Sequence, residues 1–229
     1  MISSYLISVP GIIIAVIVHE YVKALADRKL SSEMQESMAT HRPYENFISG
    51  GRSKVKNPFA YIDILGFVMF LLFRYGWAQP ARLSQFSYRN RKLGMLMIFL
   101  LPFSTNIIIG AVSTIISNQL IFAAYGTISE AYVSVGQDVS FRSFEILMTL
   151  SLVFKEIARF NIAFALFNII PIYPLDGNLL LGSIRPTWGI KIAQHERILQ
   201  MLLALFILLG WASRIFEPAV DFIMRAMTF

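Results

Sequence analysis

Four stretches of this chain are apolar for long enough to cross a bilayer, which takes about 20 residues in helical conformation. They cover residues 5–27, 93–116, 144–172 and 198–216. The third is interrupted by Lys155, Glu156 and Arg159, so its continuous apolar part begins near Asn161. A fifth run, residues 62–73, is too short to span and predicts a re-entrant element that enters and leaves on one side. The charges flanking it agree. Residues 28–56 hold Arg28, Lys29, Arg42, Arg52, Lys54 and Lys56, and residues 74–92 hold Arg74, Arg82, Arg89, Arg91 and Lys92. Cytoplasmic loops carry an excess of Lys and Arg, so both basic segments belong on the inner side. The first helix then runs from outside to inside, as does the helix ending at Ile172, and the C-terminal helix returns outward. Tyr75, Trp77, Trp188 and Trp211 suit interfacial positions. Residues 31–49, rich in Ser, Met and Glu, read as a flexible insertion within the 28–56 cytoplasmic loop.

Composition confirms the class. The chain is 56% hydrophobic and only 15% charged, where soluble domains carry roughly 25% charged residues. The reading is a single all-α polytopic membrane domain over residues 1–229. It has about four transmembrane helices and a short re-entrant element, with a small cytoplasmic β-hairpin near residues 51–57. The apolar N-terminal run lacks a basic lead and continues for a full span, so it reads as a retained helix, not a cleaved signal. A net charge of +6 fits basic cytoplasmic loops, and no basic–aromatic pattern points to nucleic acid. With no cysteine, any metal has to be held by His, Asp and Glu.

Two polar constellations interrupt the apolar pattern. The first is His19-Glu20-Tyr21-Val22-Lys23. On a helix, H-E-x-x-H places two imidazoles one turn apart on one face, where they chelate Zn²⁺ while the Glu acts as general base. Here Lys23 takes the second imidazole position. A charged lysine has three donors and no lone pair, so it cannot ligate zinc. The second constellation runs from Asn168 through Pro171, Pro174 and Asp176 to Gly177. Two prolines break a helix and free carbonyls, which a membrane tolerates only where protein or a water-lined cavity satisfies them. A charged Asp in the bilayer costs roughly 2.5–3.5 kcal/mol on the insertion scale unless it meets a cation. Under the topology above, His19 and Asp176 lie at the same inner level of two helices, as one shared site requires.

These residues resemble the site-2 protease family of intramembrane zinc metalloproteases, small prokaryotic type. The likeness runs through Pro10, His19-Glu20, Ala26-Asp27-Arg28, Gly51-Arg52, Asn57-Pro58 and Ile62-Asp63 with Gly66. It continues with Gly76-Trp77-Ala78-Gln79-Pro80, Pro102 with Asn106, and Phe167-Asn168 through Asp176-Gly177. The resemblance implies zinc held by His19, the residue at position 23 and Asp176. It also implies Glu20 as the catalytic base, Asn106 and Asn168 as substrate-binding groups, and membrane-anchored protein substrates. The chain departs from the pattern at Lys23, at Tyr61 and Leu101, at Asn178, and in the polar Arg-Ser-Lys-Val-Lys where members carry a substrate-presenting strand.

Two readings of Lys23 follow. Either it snorkels at a helix end beside Glu20 and Asp27, or its ammonium fills the space of the missing metal and bridges Glu20 and Asp176. The second reading gives a pseudoprotease without a cofactor, integral to what is taken as a prokaryotic plasma membrane and binding a membrane-anchored partner. The alternatives are an active zinc metalloprotease with an atypical metal sphere, and a transporter or channel built on the broken helix. His41 and His195 lie in polar segments and read as solvated.

Overall fold

Every element among the described residues of the computed structural model is helical. The structure describes residues 2–39, 57–81, 83, 88–133, 141–185, 192 and 195–228. The helices are α1 (Ile2–Ala39), α2 (Ile64–Phe73), α3 (Arg91–Val133), α4 (Phe141–Phe167), α5 (Gly177–Ile184), α6 (Glu196–Leu208) and α7 (Trp211–Ala226). A 3-10 turn, Pro58–Tyr61, precedes α2.

The centre is a three-helix bundle of α1, α3 and α4. Paired contacts fix its sense. On α3 and α4, Gly110 lies against Ile162, Ser117 donates to the Ser151 carbonyl at 2.9 Å, and Tyr125 meets Phe144 edge-on. One index rises as the other falls, so these helices are antiparallel. On α1 and α4, Ser8 meets Glu156 and His19 meets Phe164, so these two are parallel. That is the relative sense the loop charges call for. Between lipid-exposed helices there is little hydrophobic driving force, so association rests on close packing and interhelical hydrogen bonds.

Two helices are long and apolar enough to cross a membrane, Leu6–Ser31 within α1 and Arg91–Ile128 within α3. A third crossing is added if the bent pair α6–α7 counts as one. Four were expected from the sequence. α4 carries Lys155, Glu156 and Arg159, and it stops at Phe167, short of residue 172. The C-terminal run is two helices bent by 69°, because Gly210 adopts a left-handed backbone (φ 73°) that ends α6. Conversely, α1 continues to Ala39 and α3 to Val133, through stretches free of proline. The β-hairpin expected near residues 51–57 falls almost wholly outside the described residues, as do His41 and residues 40–49 of the insertion.

The short apolar run turns back on itself. Asp63 caps α2 by accepting from the Gly66 amide at 2.8 Å. Ten residues later Arg74 ends the helix in a left-handed conformation, φ 66°. The chain then returns in extended form, and the Gln79 amide donates to the Tyr61 carbonyl at 2.8 Å. The two legs touch backbone to backbone. A Cβ on Gly66 would lie 2.1 Å from the Trp77 carbonyl oxygen, and one on Gly76 would lie 2.1 Å from that of Gly66. Tyr75 and Trp77 on the return leg are buried against Phe167, Ile162 and Leu203. Both were expected at the membrane interface. They are core residues instead, because the hairpin is covered by α4 and α6.

Candidate functional site

Helical spacing puts His19, Glu20 and Lys23 on one face of α1, since residues three and four apart are neighbours. The opposing wall is made where α4 ends. Asn168 donates through Nδ2 to the Phe164 carbonyl at 2.9 Å, and its Oδ1 accepts from the Asp176 amide at 3.3 Å. The Asn168 carbonyl accepts from the Gly177 amide at 2.7 Å. The proline-bearing segment between them is thus closed by one side chain and aims Asp176 at α1. Only glycine fits at 177, where a Cβ would lie 2.2 Å from the Ile169 carbonyl oxygen and 2.4 Å from that of Ile170.

The four side chains then meet. His19 Nε2 lies 2.8 Å from Asp176 Oδ2. Lys23 Nζ donates to Glu20 Oε1 and to Asp176 Oδ1, both at 2.6 Å. The second Glu20 oxygen accepts from the Ala81 amide at 2.8 Å. The Phe164 ring packs edge-on to His19, with centroids 4.9 Å apart. Burial is nearly complete, with 1% of His19, 2% of Glu20, 1% of Lys23 and 3% of Asp176 exposed. Isolated charges at such depth would cost several kcal/mol each, so the pairing is what permits them.

Do these residues fit a metal? His19, Glu20 and Asp176 can each present one ligand atom within 4.8 Å of one another. Three protein ligands is the number a catalytic zinc site uses. The space they face, however, already holds a cation. The Lys23 ammonium touches an oxygen of each carboxylate, and it offers no lone pair to an ion beside it. Both Glu20 oxygens are committed, one to Lys23 and one to Ala81. The arrangement does not fit a zinc centre with a free general base.

The other expected residues divide. Asn168 belongs to the site, and both ends of its amide hold the loop that carries Asp176. Asn106 lies apart from the ion pairs. It bonds the Ala15 carbonyl on α1 at 3.2 Å, one turn before His19, and its Oδ1 has no partner among the described residues. His195 is the residue before α6, remote from the cluster in its described contacts. Sequence reading missed the Ala81 amide. A backbone donor has no side-chain signature, and only the preceding Gly76-Trp77-Ala78-Gln79-Pro80 stretch hinted at it. A second buried pair was also missed, the Tyr88 hydroxyl donating to Asp27 of α1 in a very short contact.

The chain is similar to the Bacillus subtilis protein named "Putative zinc metalloprotease YwhC". It is 24% identical over 130 residues, 57% of this chain and 52% of that protein. The match therefore spans about half the length of the relative. No family model matches the chain. No solved structure matches it.

Proposed function

We propose that this is a site-2-protease-like membrane protein in which the Lys23 ammonium stands in for the metal, and which holds a membrane-anchored protein partner without hydrolysing it. The observation that carries the reading is the pair of 2.6 Å contacts from Lys23 to Glu20 and Asp176. A metallopeptidase of the H-E-x-x-H kind needs a second imidazole and a carboxylate free to take a proton from water. This chain offers neither. The quoted motifs and the similarity to a protein named as a zinc metalloprotease support descent from such an enzyme. In this reading α4 crosses the membrane beside α1 and α3, and the α6 segment returns the chain outward.

The competing reading is a working intramembrane metalloprotease with an atypical metal sphere. What favours it is the donor trio His19, Glu20 and Asp176. Metal analysis of the purified protein separates the two. Less than one tenth of an equivalent of zinc, unchanged by His19→Ala, supports the ammonium-filled site. Stoichiometric zinc lost on His19→Ala, with cleavage of a membrane-anchored substrate abolished by Glu20→Gln, overturns it.

A further inference from the structure

α7 is unlike the other long helices. In 16 residues it carries Arg214, Glu217, Asp221 and Arg225, spaced so that all four fall along one stripe. Such a helix does not belong in hydrocarbon, where each charge is costly. Its fastening fixes its level. Arg159 of α4 bonds Glu217 at 2.7 Å and approaches Asp221 at 3.5 Å. One turn earlier on α4, Glu156 accepts from Ser8 at 3.0 Å, and Ser8 lies at the N-terminal end of the apolar span Leu6–Ser31. α7 is therefore pinned where the apolar surface of α1 begins, at the edge of the hydrocarbon.

With both acids turned to Arg159, the charges left outermost are Arg214 and Arg225, both exposed. Between them runs an exposed apolar row, with Trp211 51%, Ile215 54% and Phe222 72% accessible. Ala212, Phe216 and Val220 face the core on the other side. An apolar strip with tryptophan at its start and arginine near each end is the pattern of a helix lying in a membrane interface. Arginine stems reach along apolar surface while their heads meet headgroup phosphates.

We propose that the Trp211–Ile215–Phe222 face of α7, with Arg214 and Arg225, is a docking surface for anionic phospholipid, and that α7 lies in the membrane plane instead of completing a crossing. Charge complementarity selects this occupant, because the outward charge of the helix is positive while its acids are neutralised from within. The absence of native cysteine makes the test direct.

Single cysteines at Trp211 and Phe222, labelled with a fluorophore in the full chain reconstituted into vesicles, report depth by quenching with lipids brominated at different positions. The two labels should lie within a few ångströms of the same depth, near the interface. A crossing helix would separate them by about 16 Å and overturns the proposal. Brominated phosphatidylglycerol in phosphatidylcholine vesicles should quench the label at 222 about threefold more than its mole fraction predicts, and the excess should vanish in Arg214→Gln/Arg225→Gln. Equal quenching by both lipids overturns the choice of an anionic lipid. A label that no lipid reaches marks a protein partner or second copy on this face, and overturns it as well.

Discussion

Lys23 and Asp176, 153 positions apart in sequence, are joined by a 2.6 Å ion pair that closes the proline-bent segment after α4 onto α1. Removing one member of such a pair leaves its partner buried and uncompensated. Lys23→Ala should therefore destabilise the protein by about 3–5 kcal/mol, read as a lowered unfolding midpoint in detergent. Adding Glu20→Gln and Asp176→Asn should recover much of the loss, since the stranded charges go with them.

Lys23→His rebuilds the H-E-x-x-H spacing on the same helical face. The variant should bind close to one zinc per chain while the parent binds none, and Asp176→Ala should abolish the gain. Elemental analysis of the two purified proteins decides it, and no peptidase assay is needed.

Gly177→Ala places a methyl group where three backbone atoms of residues 169 and 170 already stand within 2.5 Å. The loop must open to admit it, at a cost of about 1–3 kcal/mol or more. Asp176 should be carried away from α1, so that in the Gly177→Ala background the penalty of Lys23→Ala shrinks. A double-mutant cycle on thermal stability measures that coupling.

The Tyr88 hydroxyl is held above the ordinary tyrosine value of 10.0, first by burial and then by its bond to Asp27. The folded state thus keeps a proton that the unfolded chain gives up near pH 10. The resulting stability is present below that pH and is lost as pH rises further. Tyr88→Phe should lower stability by about 1–3 kcal/mol at neutral pH, because buried Asp27 loses a donor. It should also flatten the decline above pH 10, seen by following unfolding midpoints of both proteins from pH 8 to 11.

His19, Glu20 and Asp176 were legible in the sequence because ionisable residues in apolar runs are costly and so stand out. The antiparallel α3 and the turned-back α2 segment were legible too, from run length and loop charge. What escaped depends on information that composition does not hold. The aromatic rings of Tyr75 and Trp77 look the same whether lipid or protein covers them, and only the covering by α4 and α6 decides. The bend at Gly210 hides in an otherwise continuous apolar run, because glycine permits a left-handed turn without requiring one. The Ala81 amide that engages Glu20 belongs to the backbone, which every residue shares.

A counter-ion built into the polypeptide behaves unlike one drawn from solution. Its occupancy is set at translation and does not follow the free zinc level, so chelators have nothing to extract and metal starvation leaves α1 and the loop beyond α4 clasped. Treating the purified protein with EDTA should therefore leave its unfolding midpoint unchanged. A single codon separates this constitutive closure from one that answers to metal supply.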